Sequence, residues 1–129
     1  MKLCLVIAAE KDVRESARRV VKKMGHCCVE TDGGQFAYSA SQALIPDLFI
    51  VDLDDGVPEG KELISKLRSI KCSERPAILC CMNKEDRGAV DEALDAGADG
   101  YVLKPFDFDA LSVKLPAWEA RVQPSSTIN

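Results

Sequence analysis

Aromatic residues make up only 5% of this 129-residue sequence, with one Trp, two Tyr and four Phe. A core built on ring contacts is therefore excluded, and the interior must come from Val, Ile, Leu and Ala. A basic surplus is missing too. Lys and Arg number 17 against 21 Asp and Glu, for a net charge of −4, which argues against nucleic acid as the direct partner, because binding there needs a basic stripe. No apolar run nears the ~18 residues of a membrane span. Histidine occurs once, as His26. The six cysteines, Cys4, Cys27, Cys28, Cys72, Cys80 and Cys81, form no C-x-x-C pair. Neighbours on a strand point to opposite faces, so neither doublet can offer both sulfurs to one metal. Buried, reduced thiols acting as small hydrophobes are the simpler reading. With 47% hydrophobic and 29% charged residues, disorder and low complexity are excluded as well.

What is present alternates. Leu3 to Ile7 is a continuous apolar run, as expected for a strand buried on both faces. Lys2 before it and Glu10 after it give a faint likeness to a short signal peptide, but the run is taken as a central strand and the protein as cytoplasmic. Val13, Ala17, Val20, Val21 and Met24 form one helical stripe. Asp12 with Glu15 is the expected capping pair and Gly25 the stop. Cys27 to Val29 is a weaker strand, followed by the stripe Phe36, Ala37, Ala40 and Leu44 before Pro46. The pattern then repeats. Strands at 48–51, 77–80 and 101–103 precede the stripes Leu63, Ile64, Leu67, Ile70; then Val90, Ala93, Leu94; then Phe108, Leu111, Leu115, Trp118, Val122. Five strand–helix pairs with short connections imply a doubly wound α/β domain with a parallel sheet covered on both faces. Its expected extent is 1–122, with 123–129 as a flexible tail. Pro116 should kink or restart the last helix.

Open parallel sheets bind ligands beyond the carboxyl ends of their strands. The residues expected there are Ala8-Ala9-Glu10, Asp52-Leu53-Asp54-Asp55, Cys81-Met82-Asn83 and Lys104-Pro105. A carboxylate cluster and a lysine should thus meet at one end. Asp52, directly after four apolar residues, is either a functional acid at the rim of the core or a strand-ending acid bonded to loop amides.

The stretch from Pro46 to Leu53 with the later Gly60, the turn Asp32-Gly33, and the stretch from Ala96 to Phe106 resemble bacterial response-regulator receiver domains, in order and spacing, over about residues 2–122. The resemblance implies a flavodoxin-like (βα)5 sandwich with strand order 2-1-3-4-5, and a role in two-component phosphorelay signalling through protein–protein contacts rather than enzyme chemistry. By position it implies Asp52 as phosphoacceptor, Lys104 as partner of the phosphoryl oxygens, a cis bond at Pro105 and Tyr101 as the switching aromatic. It also implies Mg²⁺ held by Asp52 and the Asp54 backbone carbonyl. The implied partners are a histidine kinase or phosphotransfer protein and a downstream protein docking on the fourth helix, fifth strand and fifth helix.

Two departures qualify this. Receivers carry two acids after the first strand to hold Mg²⁺, and here stand Ala8 and Ala9, leaving only the displaced Glu10 as a substitute. Receivers also end the fourth strand with a Ser or Thr. Counting forward from Pro76 puts Cys81 there, counting back from Gly97 puts Met82 there, and neither bears a hydroxyl. The expected reading is an atypical receiver with weak or absent Mg²⁺, working independently of phosphorylation. A conventional switch phosphorylated at Asp52 is the alternative. Remoter is a thiol sensor using Cys27, Cys28, Cys80 or Cys81. Flavin and cobalamin sites are disfavoured: no phosphate-binding loop follows the first strand, and His26 is misplaced.

Overall fold

The computed structural model describes residues 2–55, 57–71 and 75–104. Pro105, the last helical stripe with Pro116, the boundary expected at 122, the tail and Cys72 lie outside the described residues. Within them, strands β1 (Leu3–Ile7), β2 (Cys27–Thr31), β3 (Leu48–Asp52), β4 (Ala77–Met82) and β5 (Gly100–Leu103) alternate with helices α1 (Lys11–Lys23), α2 (Gly34–Ala43), α3 (Val57–Arg68) and α4 (Arg87–Ala96). The strands make one parallel sheet in the order β2-β1-β3-β4-β5, as expected.

The apolar runs are strands because both faces of the sheet are covered. Every residue of β3 and β4 is buried. On one face Cys4, Val6, Leu48, Ile50, Leu79 and Cys81 pack with Ala17, Val20 and Val21 of α1. On the other, Leu5, Ile7, Phe49, Val51, Ile78, Cys80 and Met82 meet Ala37, Ile64, Leu67, Val90 and Ala93 of α2, α3 and α4. Each large side chain so enclosed contributes about 1.5–3 kcal/mol. Cys80 and Cys81 fall on opposite faces, as neighbours on a strand must.

Some expectations need correction. Helix α1 starts at Lys11 with exposed Glu10 as its N-cap and no side-chain cap bond, so Asp12 lies inside the first turn and does not pair with Glu15 as a cap. Phe36 is 60% and Leu44 66% exposed, because α2 turns the smaller Ala37 and Ser41 inward. Leu94 is likewise exposed, Ala89 taking its place beside Val90 and Ala93. Strand β3 runs through Asp52 and β4 through Met82, so Asp52, Cys81 and Met82 belong to the sheet rather than to the loops beyond it.

Glycine is required at two close approaches. A Cβ at Gly60 would lie 2.7 Å from Leu53 Cδ2, so its absence lets α3 close onto the end of β3. Gly97 ends α4 at φ +125, and a Cβ there would sit 3.1 Å from Arg68 Cγ. Arg68 in turn donates to the Gly97 carbonyl at 2.8 and 3.1 Å, to the Pro76 carbonyl at 2.7 Å and to Asp99 at 3.0 Å. Gly97→Ala should therefore cost about 1–3 kcal/mol, lowering the midpoint of urea unfolding at unchanged slope. An unshifted midpoint would mean that the turn relaxes freely.

Candidate functional site

At the carboxyl end of the sheet three charged side chains converge. Asp52 closes β3 with its side chain fully enclosed, and the Lys104 ammonium meets both its oxygens, Oδ1 at 2.9 Å and Oδ2 at 2.8 Å. The same ammonium lies 2.8 Å from Asp54 Oδ2. Sequence order explains the meeting. β3 and β5 flank β4, and Lys104 leaves β5 fastened by its own N–H to the Met82 carbonyl at 2.7 Å. A 3-10 turn at Leu53–Asp55 folds Asp54 back, so that its N–H donates to Asp52 Oδ1 at 2.9 Å while its carboxylate accepts from the Asn83 N–H at 2.8 Å. Burial alone would favour a neutral Lys104. Its bonds to Asp52 and Asp54 outweigh that and lift it above its ordinary value. The ammonium is therefore firmly charged at neutral pH, and each carboxylate has a counter-charge.

Cys81 is the register partner of Asp52. Burial first, then the neighbouring Asp52 carboxylate, hold its thiol well above the ordinary range, with Lys104 opposing. The buried Cys80 is pushed up to about 12, again chiefly by burial. Both thiols stay protonated, so sensing through either has no thiolate to start from. Met82 faces the other side and, with Leu53, Asp54, Ala89 and the 83–87 loop, lines an open cleft of about 720 Å³. Tyr101, half-buried on β5, extends its hydroxyl to the Glu85 carboxylate, which raises the phenol above its usual value.

The loop after β1 is organised differently from the receiver pattern. Ala8 is buried, with its N–H on the Thr31 carbonyl at 3.1 Å. The Arg14 guanidinium donates to the carbonyls of Ala8 at 2.8 Å and Ala9 at 2.9 Å, and Glu30 holds it from behind at 3.3 Å. Where two acids were to be looked for, this loop carries a cation. Glu10 stands exposed at the head of α1. Among the described residues no group of three His, Cys, Asp or Glu is placed to hold a metal. Magnesium wants six oxygens in near-octahedral array. Here the Asp52 oxygens are taken by an ammonium and the loop carbonyls by a guanidinium, so the residues present do not fit that ion.

Sequence reasoning placed Asp52, Lys104 and the acids of the 54–55 loop at one end of the sheet but gave Asp54 its backbone carbonyl as a ligand rather than its carboxylate as a partner of Lys104, and it missed Arg14 and Glu85. It also gave no role to Asp47 and Asp99, which sit in the same motifs and prove structural. Asp47 accepts from the Leu3 N–H at 2.9 Å. Asp99 accepts from the Ile78 N–H at 2.9 Å and binds Arg75 and Arg68. Both stitch the amino ends of the strands, opposite the Asp52 cluster.

A family model described as the response regulator receiver domain matches residues 4–115. The chain is 33% identical over 119 residues to the transcriptional regulatory protein KdpE of Mycobacterium tuberculosis, covering 91% of this chain and 50% of that protein. It is 26% identical over 120 residues to the chemotaxis protein CheY of Halobacterium salinarum, covering 90% and 98%. A two-component response regulator from Clostridium difficile superposes with a TM-score of 0.83 at 21% identity, covering 95% and 99% of the two chains, a likeness of fold. The chain spans about half the length of the transcriptional regulators it matches.

Proposed function

Because the chain belongs to the response-regulator receiver family, a signalling module of two-component systems and not a classical enzyme, we propose that it is an atypical member that signals in the cytoplasm independently of phosphorylation at Asp52. The observation that carries this reading is the pair of cations at the carboxyl end of the sheet. Lys104 neutralises Asp52 and Asp54 at 2.8–2.9 Å, and Arg14 caps the loop where the acids of a magnesium site would stand. An incoming phosphoryl group would have to displace Lys104 from Asp52 without a divalent ion to shield its charge. Receiver domains answer to histidine kinases or phosphotransfer proteins. We extend this to a downstream protein partner reading α4 and β5, where Leu94 and Leu103 are 44% and 41% exposed and Tyr101 is held toward Glu85. No helix among the described residues is long and apolar enough to cross a membrane.

The conventional switch keeps one specific support: Asp52 and Lys104 are already in the contact that a phosphoacceptor and its lysine would need. An amide NMR titration with Mg²⁺ and then beryllofluoride, with Asp52→Asn as control, separates the two. We expect no saturable shifts near Asp52, Cys81 and Tyr101 at millimolar Mg²⁺. Saturable shifts that vanish in Asp52→Asn would make Asp52 a working phosphoacceptor.

A further inference from the structure

Two cysteines far apart in sequence face each other across the amino half of the sheet. Cys4 on β1 and Cys28 on β2 are direct register partners in a parallel pair, so their side chains leave the same face of the sheet. They rise under α1, where Cys28 packs against the core cluster that contains Cys4, beside Val13 and Met24. Neighbouring strands run about 4.8 Å apart, inside the Cα span of about 4.4–6.8 Å that a disulfide bridges. β2 is an edge strand of the sheet and can give the small shift that bond formation needs.

The two thiols are also unequal. Cys4 is fully buried, whereas Cys28 is half-buried at the open margin between β2 and α1. Burial and the Cys28 neighbour keep Cys4 protonated. The Cys4 thiol beside it draws Cys28 below the ordinary thiol value against burial and Glu30, with Arg18 and Lys22 helping. Cys27, one residue away, is exposed on the opposite face and pairs with Leu3.

We infer that Cys4 and Cys28 form a reversible dithiol–disulfide site that responds to hydroperoxides, separate from the Asp52 cluster. The Cys28 thiolate attacks one oxygen of hydrogen peroxide, giving the sulfenic acid and releasing hydroxide. Cys4 then attacks the sulfenic sulfur. The Sγ–Sγ bond forms, the S–O bond breaks, and the leaving hydroxide departs as water with the Cys4 proton. One peroxide is reduced to water by the two thiols, and an added thiol reverses the oxidation.

The test treats the reduced chain with hydrogen peroxide and maps peptides under non-reducing conditions, in the parent and in Cys27→Ser. Both should lose about 2 Da, restored by dithiothreitol, with one cross-linked peptide joining Cys4 to Cys28. In Cys4→Ser, Cys28 should instead gain about 16 or 32 Da as sulfenic or sulfinic acid. The parent measurement needs no substitution at the buried position, so a misfolded Cys4→Ser would not obscure it. A parent in which Cys28 climbs the oxidation ladder without cross-linking would overturn the inference. So would a cross-link through Cys27, or peroxide leaving Cys28 untouched.

Discussion

Lys104→Met is expected to lower stability by about 3 kcal/mol at neutral pH, the cost of leaving a buried carboxylate without its counter-charge. Asp52 would keep the Asp54 N–H on Oδ1 but would face the Asp54 carboxylate across the space the ammonium had filled. Two neighbouring carboxylates disfavour joint ionisation, so one would take up a proton as the pH falls. The gap between variant and parent should therefore narrow in acid. Adding Asp52→Asn to Lys104→Met should restore most of the loss, because the uncompensated charge is then gone. The parent behaves oppositely. Its lysine is raised above the ordinary value of 10.5 in the folded state. That stabilisation is complete below the ordinary value and is lost only as the pH climbs through the higher folded one. Urea titrations of the parent and both variants across pH measure all of this. An undiminished Lys104→Met at neutral pH, or no recovery on adding Asp52→Asn, would show that the cluster is solvated and energetically slack.

Much of this architecture is legible in the chain because the sheet is buried on both faces. A strand such as β3 then reads, over 48–51, as an unbroken apolar run with no helical alternative of that length. Of the stripe at 36, 37, 40 and 44, Ala37 is internal, while Phe36 and Leu44 misled because they lie on the outer side of α2 and at its end. The inward row is 37 and 41, and its small Ala and Ser are what let α2 approach the sheet. Asp52 and Lys104 could be found because both stand at the ends of runs. Asp54 is placed at the same end by its position after the run, but its carboxylate on the ammonium depends on the way the 3-10 turn folds the side chain back. Arg14 and Glu85 act through tertiary contacts that no spacing rule reaches. The same holds for Cys4 and Cys28, whose partnership is set by strand register rather than by sequence distance.

Ala8→Asp with Ala9→Asp should make the stability of the protein depend on magnesium, where the function proposed above expects the parent's not to. The β1–β3 register pairs Ile7 with Val51, so a carboxylate at position 8 comes beside Asp52, and one at position 9 joins it in the loop. Without a divalent ion the added negative charge is repulsive and partly buried, since Ala8 is 1% exposed, and the double variant should melt below the parent. Arg14 softens the penalty by lying against both positions. Magnesium would then find a set of oxygens that the parent does not offer. At a concentration of 100 times its dissociation constant, a ligand that binds only the folded state adds about 2.7 kcal/mol, enough to lift the variant by several degrees. Thermal melts at rising Mg²⁺ should shift upward and saturate for the variant and stay flat for the parent. Asp52→Asn in the variant should cut the shift by removing the carboxylate common to both arrangements. A parent that also shifts would mean that Lys104 yields Asp52 readily and that Glu10 or the Asp54 carbonyl completes a site. A variant that does not shift would put the obstruction in the two cations rather than in the missing acids, leaving Arg14 as the residue to change next.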